Sequence, residues 1–400
     1  MSVTKLTNDN IETIDVSKLT GSFPAIDGSS ITGIVGGTTV MKAASDPAND
    51  TNPADGVGTM YLNTTDGNMF ICMDATTDQN EWNNVGPGTG GVEYVPPQYF
   101  GDRAFWMGGS HNVQGYSNSN PGNVSYQTIT TLGNSTEWGS LSQGHGDGPG
   151  TLSNGTRALC AGGYNAGAMT QRIDYVTVAS VGSTAVFGDI TPSSNWRWFD
   201  GTSNGTRGIF SPPLYGSSST PVQYVTVQTT GNSQTFGHIT FNGSYYGNGC
   251  LACNGSKAVH FGGYHSHTKM GYVDIATTGD ALLFGDLNGG RYMSSAMNDR
   301  TYGICYSGVN GGSVVQPNQY ITIATNGNSL AFSQALGSSF GGGSCSNETR
   351  GLYKGTYGAG WETSQKPIEY VTINNPSQNA ISFGNLSSLR TSVHGTSGNP

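Results

Sequence analysis

Beyond residue 100 the chain is written in short runs that alternate apolar and polar residues, such as Gln223-Tyr224-Val225-Thr226-Val227, bounded by Gly, Asn and Ser. Alternation with period two, rich in β-branched and aromatic residues, predicts strands with one buried face. The runs recur. Tyr126, Tyr175, Tyr224, Tyr272, Tyr320 and Tyr370 stand at spacings of 49, 49, 48, 48 and 50 residues. About eleven residues after each comes a second anchor: Trp138-Gly139, Phe187-Gly188, Phe236-Gly237, Phe284-Gly285, Phe332-Ser333 and Phe383-Gly384. A period near fifty residues holding several strands is the pattern of a blade repeat, whose copies cannot bury their apolar faces alone.

Each period resolves into four strand-length pieces. In the third copy a first strand runs from Trp196-Arg197-Trp198-Phe199 to the Ser203-Asn204-Gly205 turn. The second is Thr206–Phe210, the third Gln223–Val227, and the fourth ends at Phe236-Gly237. The Asn-Gly dipeptides at 154–155, 204–205 and 254–255 predict tight hairpins with positive φ at both central residues. The first copy, starting at Gly101, matches a second strand and has no first strand before it. Residues 389–397, after the last copy, match a first strand with no second after it. The expected fold is therefore all-β: a six-bladed β-propeller over residues 99–400, closed by the C-terminal strand so that no sheet edge stays open at the seam.

The first hundred residues read differently. Residues 1–45 carry spaced apolar positions but no period that folds alone, and suit an extended segment for attachment and oligomerisation. Residues 46–86 read as a small β module of three strands, Thr59–Leu62, Asn68–Met73 and Glu81-Trp82, the first two joined through Asp66-Gly67. Residues 87–98, rich in Gly and Pro, read as a linker.

The Gly pairs 108–109, 162–163 and 262–263, each followed by a variable loop, Tyr and then Trp or Phe, resemble the Kelch motif, although three copies lack the Gly pair. Lys18–Ser29, KLTGSFPAIDGS, looks like a stretch common in tail-fibre proteins of tailed bacteriophages. The module from Gly58–Asn63 to Trp82–Gly86 is similar to a short β module of the same proteins. Tyr272–Leu287 resembles repeats of fibre-like structural proteins of marine phages, cyanophages among them. The resemblance implies a virion tail protein, commonly a trimer, joined to other tail proteins through residues 1–45 and presenting its propeller for host adsorption. A passive structural or decoration protein of the virion is the alternative.

Composition narrows the choice. Charged residues make up 10% of the chain, against about a quarter in ordinary soluble proteins. Residues 1–99 hold 12 acidic and 3 basic side chains, and residues 100–400 hold 13 of each. An acidic end and a neutral repeat region both lack the basic footprint of a nucleic-acid binder. No stretch approaches the roughly 20 apolar residues of a membrane span, so no membrane insertion is expected. MSVTKLTNDNIETIDVS has neither the basic nor the apolar region of a secretory signal, so synthesis in the host cytoplasm is expected. The six Cys residues follow no framework spacing and are expected to be free and buried.

Candidate chemistry is sparse. Cys250-Leu251-Ala252-Cys253 is a lone CxxC without the second pair that zinc needs, and reads as packing. Trp106, Cys160, Phe210, His260, Cys305 and Tyr353 share one repeat position, which therefore reads as core between blades. Ser140, Asp189, His238, Asp286 and Asn385, after the second anchor, read as turn caps. No carboxylate pair, Ser/His/Asp arrangement, phosphate loop or calcium loop emerges, so no enzyme, cofactor or metal is expected. A ligand is expected instead on the face that collects the loops between second and third strands and the connections between blades. The loops bring Tyr116, Tyr164, Tyr215, Tyr264, His265, His267 and Trp361; the connections bring Trp196, Tyr245 and Tyr246. Aromatic rings among Asn, Ser and Gly suit a bacterial surface glycan.

Overall fold

A computed structural model describes residues 40–85, 100–110, 122–165, 168–182, 184–192, 196–214, 220–241, 244–245, 247–265, 267–337, 339–358 and 367–399. Most of the segment 1–45 and all of 87–98 lie outside these residues. The chain divides into two compact units, Met1–Tyr94 and Val95–Pro400. All the regular structure described is β, in sheets that are mostly four-stranded.

In the first unit the sheet runs in the order Met41–Ala43, Met60–Asn63, Met69–Asp74, Glu81–Asn84. It has one strand more than the sequence pattern predicts. Met41–Ala43 joins in parallel, with Met41 opposite Tyr61. Three residues are too few to carry an alternation of their own, so their pairing could not be read. Tyr61 packs edge-on against Phe70 and Trp82, and its hydroxyl donates to Ser45 O at 3.0 Å.

Among its described residues the second unit holds six four-stranded antiparallel sheets. The second sheet comprises Gly150–Ser153, Arg157–Ala161, Arg172–Thr177 and Ala185–Asp189. The third comprises Gly201–Ser203, Arg207–Phe210, Val222–Thr226 and Gln234–Gly237. The fourth, fifth and sixth begin with Cys250–Cys253, Ser295–Asn298 and Gly343–Ser346. The first sheet takes three strands, Arg103–Met107, Asn123–Thr128 and Thr136–Ser140, from the start of the unit and one from its end. His394–Gly398 pairs antiparallel with Arg103–Met107, from His394 opposite Met107 to Gly398 opposite Arg103.

Apolar cores lie between consecutive sheets. Leu159, Ile173 and Phe187 of the second pack against Trp196, Phe199 and Phe210 at the third. Another core joins Ala104, Trp106 and Ile129 of the first sheet to Cys345, Leu352 and Phe383 of the sixth. The shared repeat position is buried throughout, with Trp106, Cys160, Phe210, His260, Cys305 and Tyr353 each 0–1% exposed. The Asn-Gly turns differ from expectation: positive φ falls on Gly155, Gly205 and Gly255 alone. The Asn side chain does the other work. Asn154 Oδ1 accepts from the Thr156 and Arg157 N–H groups, and Asn204, Asn254, Asp299 and Asn347 do the same in their sheets. The turn is thus an Asx turn, open to Asp as well as Asn.

Just after that turn stands a cation that clasps the next sheet. Arg157 lies over the Tyr175 ring at 4.9 Å, and its Nη1 donates to Gln228 O of the third sheet at 2.7 Å. Arg207 repeats this with Tyr224 and Ala276 O, Lys257 with Tyr272 and Ala324 O, and Arg103 with Tyr126 and Val178 O. Arg350 of the sixth sheet lies over Tyr370 and donates to Thr130 O of the first at 2.7 Å. The fifth sheet has Tyr302 at this position, edge-on against Tyr320 at 5.8 Å, and reaches the sixth through the Arg300–Glu348 ion pair at 3.0 Å.

A second latch explains the glycine of the Phe-Gly anchor. A Cβ on Gly188, Gly237, Gly285 or Gly384 would overlap the carbonyl oxygen of Gly231, Gly279, Gly327 or Gly133 in the adjoining sheet. The residue after each glycine donates its N–H to the neighbouring turn: Asp189 to Asn232 Oδ1 at 3.0 Å, His238 to Asp280 Oδ1 at 2.8 Å, Asp286 to Asn328 Oδ1 at 2.9 Å and Asn385 to Asn134 Oδ1 at 2.9 Å. These positions are therefore not turn caps by their own side chains. Their backbone is the ligand and the neighbour's Asn or Asp is the cap.

These contacts set the outcome of stability measurements. Deleting residues 389–400 removes the first strand of the first sheet and lowers Tm on the order of 10 °C; an unchanged Tm would refute its role. Arg157→Met costs about 2 kcal/mol by urea denaturation, since it removes a charged donor and its ring contact, whereas Arg300→Met, at the more exposed ion pair, costs under about 1 kcal/mol. Gly237→Ala forces the two sheets apart and costs about 1–3 kcal/mol.

Candidate ligand-binding face

The connections that enter the first strands share an unusual backbone. Gly148, Trp198, Asn248, Met293, Gly341 and Ser392 stand two or three residues before the first strands of their sheets, and all lie at φ between 52° and 69°. Left-handed backbone is rare for Trp and Met and disfavours a bulky side chain, so packing must hold it. Trp198 shows how. Its N–H donates to Gly148 O at 2.7 Å, and its ring meets Tyr357 at 5.9 Å and His394 at 6.4 Å. It joins Leu214, Met293, Val309 and Phe340 in an apolar cluster to which Tyr264, Tyr292 and Tyr357 add partly buried rings. One tryptophan thus gathers residues from most of the sheets.

Polar groups border this cluster. Arg197 Nη1 lies 3.8 Å from Asp147 Oδ2, and its guanidinium sits 5.6 Å over the Tyr164 ring. Burial raises the Asp147 carboxyl above its ordinary range, against the opposing pull of Ser392, Arg197 and Trp198. His394 is buried, its Nε2 has no hydrogen-bond partner, and burial lowers its pKa to about 4. Asn248 Nδ2 is likewise buried without a partner. Buried donors left unpaired beside a partly exposed aromatic surface are groups that a polar ligand or water can satisfy.

The residues expected to bind ligand divide three ways. Tyr164 and Tyr264 belong to this surface. His265 is exposed and packs on Tyr264 at 4.1 Å, while His267 lies 6.5 Å from His265. Trp196 does not belong to it. Its ring is fully buried on Phe199 and its Nε1 donates to Pro192 O at 2.9 Å, so it is core and offers no ring to a ligand. Tyr245 lies in the two-residue strand Ser244–Tyr245, paired with Thr240–Phe241. Tyr116, Tyr215, Tyr246 and Trp361 lie outside the described residues. Sequence reasoning missed Asp147, Arg197, Trp198, Tyr292 and Tyr357, because nothing local marks residues that meet only through the sheets' assembly.

Other constellations prove structural. Ser142, His145 and Asp174 come together, yet Ser142 Oγ donates to Asp174 Oδ1 at 2.7 Å and has no bond to His145. His145 lies 3.3 Å from Asp174 and 2.8 Å from Gly162 O. A serine bound to the acid rather than the base is not activated as a nucleophile. Burial pushes the Asp174 carboxyl up, but bonds from His145 and Ser142 outweigh it and leave the carboxyl below its usual range. In the CxxC, Cys253 Sγ accepts the Gly255 N–H at 3.2 Å, the job that Ser153 and Ser203 do in their sheets. Cys250 Sγ instead lies 3.7 Å from Cys305 Sγ. The described residues contain no group of three or more His, Cys, Asp or Glu side chains able to hold a metal ion. Comparison with family models and with curated proteins finds no match to this chain.

His260 supplies a pH test. Burial lowers its pKa to about 3, so the folded state keeps it neutral while the unfolded chain takes up a proton below about 6.5. His260 therefore contributes a loss of stability of up to about 1.4 kcal/mol per unit as pH drops from about 6.5 towards 4, and the buried His394 acts in the same direction. His260→Phe, the residue type of Phe210 at the equivalent position, should flatten this slope in urea titrations; an unchanged slope would exclude His260 as its source.

Proposed function

We propose that this chain is a non-enzymatic, tail-fibre-like protein of a tailed phage virion, whose repeat unit is a six-bladed, Kelch-like β-propeller adsorbing to a bacterial surface glycan. The propeller reading is supported by six four-stranded sheets, by the apolar core between the first and sixth, and by the pairing of His394–Gly398 with Arg103–Met107. The Arg350 clasp onto Thr130 O joins the same two sheets. Attachment through residues 1–45, and trimer formation there, rest on the resemblance of Lys18–Ser29 to tail-fibre proteins.

The observation that carries the adsorption reading is the surface around Trp198. Tyr164, Tyr264, Tyr292 and Tyr357 are partly exposed rings with polar tips, and Asp147 with Arg197 adds a carboxylate and a guanidinium beside them. Rings of this kind stack on the apolar faces of sugars while charged groups bond their hydroxyls. A passive virion protein is the second reading, favoured by the burial of both Trp196 and Trp198.

The test is competition. Purified full-length protein added to host cells before infection should reduce phage adsorption. Tyr164→Ala with Tyr264→Ala should weaken that competition about tenfold or more, the equivalent of about 1.4 kcal/mol, at an unchanged Tm. Absence of cell binding at every concentration would favour the passive reading, and loss of polymer from the cell surface would return an enzyme to consideration.

A further inference from the structure

The first strands of all six sheets line one cavity of about 60 Å³. Ser153, Thr202, Leu251, Asn298, Ser346 and Thr396 are its wall residues from the second to sixth sheets and the first, and Phe100 also borders it. Among the described residues of the wall, Asp200 alone carries a charge; no Lys, Arg or His faces it. The carboxylate accepts the Leu251 N–H at 2.9 Å and the Gly201 N–H at 2.9 Å, two dipoles but no countercharge.

Three of the hydroxyls around it are turned so that they can only accept from the cavity side. Ser344 Oγ donates to Ala296 O at 2.6 Å, Ser346 Oγ to Asn298 O at 2.8 Å and Ser397 Oγ to Ser346 O at 2.5 Å. Asn298 Nδ2 donates to Cys253 O at 2.8 Å. Each of the three hydroxyl hydrogens is committed to a strand carbonyl, so what those oxygens retain is lone pairs. A cavity with one carboxylate and three acceptor hydroxyl oxygens in its wall favours a cation over an anion. Apart from the protonated Cys345 thiol, its candidate side-chain ligand atoms are oxygens, which suits hard cations. Divalent ions are usually held by several carboxylates, whereas one carboxylate balances one positive charge. The volume exceeds the roughly 10–15 Å³ that one water requires and leaves space for an ion with a partial water shell.

We propose that this cavity binds a monovalent alkali cation, Na⁺ or K⁺, against the Asp200 carboxylate, with serine and threonine oxygens and water completing its coordination.

Without a cation, burial raises the Asp200 carboxyl to about 7, against the pull of the Leu251 and Gly201 N–H groups. Cys345, in the same wall, and Cys250, which feels the Asp200 charge, are both pushed up by burial and stay protonated. Between about pH 4 and 7 the folded state thus keeps a proton on Asp200 that the unfolded chain has lost, and this group's contribution to stability declines as pH rises through the window, opposite in sign to that of His260. A bound cation offsets the decline because it favours the ionised carboxylate.

The experiment uses the full-length protein at about pH 8, melted in NaCl, KCl or tetramethylammonium chloride at equal ionic strength. A saturable rise in Tm of about 2–4 °C with Na⁺ or K⁺, absent for tetramethylammonium, supports the site. Asp200→Asn should abolish the rise. Equal Tm in all three salts, a rise that survives Asp200→Asn, or stabilisation by Ca²⁺ or Mg²⁺ alone would overturn the proposal. Should Asp200→Asn fail to fold, crystals of the wild-type protein soaked in Rb⁺ decide the matter. An anomalous peak beside Asp200 supports the site, and a cavity without one refutes it.

Discussion

An arginine held flat on a tyrosine of its own sheet, with its guanidinium on the carbonyls of the next, is the contact around which the repeats are organised. It fixes three things at once. The Asx turn must deliver the cation at the start of the second strand, the third strand must present the tyrosine, and the adjoining sheet must bring a turn carbonyl within reach. Arg157, Tyr175 and Gln228 show the arrangement, and Arg350, Tyr370 and Thr130 repeat it between the sixth sheet and the first. The Phe-Gly latch acts at the same junctions from the other end of the sheet. Together they convert soft apolar packing into a defined angle and spacing, which non-directional burial alone does not supply.

The junction that departs from this scheme departs in several respects together. The fifth sheet has Tyr302 where others have Arg or Lys, Ser333 where most have Gly, and a fourth strand of only two residues, Leu330–Ala331. Glu369 Oε2 accepts the Leu336 N–H at 2.6 Å there, and Arg300 pairs with Glu348 across to the sixth sheet. One clasp has been exchanged for a set of weaker ones. Irregularity at this junction is tolerable because the junctions on either side still constrain the two sheets.

Much of the fold was legible in the sequence because it repeats. The tyrosine period marked the strands, and the unmatched pieces at Gly101 and Leu389 required each other as partners, which His394 and Met107 make concrete. The clasp was partly visible too, as Arg157, Arg207 and Lys257 follow Asn-Gly-Thr or Asn-Gly-Ser, but a reading tuned to apolar periodicity passes over a cation. Met41–Ala43 was not legible, since a three-residue parallel strand is defined by its partner. The face around Trp198 was least legible of all. Trp198 and Trp196 sit two residues apart in one connection, yet left-handed backbone at Trp198 turns it to Tyr357 and His394 while Trp196 enters the core. Composition ranks the two alike.

The pairing of His394–Gly398 with Arg103–Met107 also sets a timetable. Nearly three hundred residues separate the two strands. At synthesis rates of roughly 5–20 residues per second the first sheet waits about 15 to 60 s with an open edge before its partner is made. During that interval Arg103–Met107 is a template that any passing strand can join, including the same strand of a second nascent chain on one messenger. Covering that edge with His394–Gly398 is therefore a late step in folding. A chain that stops early keeps its sticky edge, and a chain that finishes hides it.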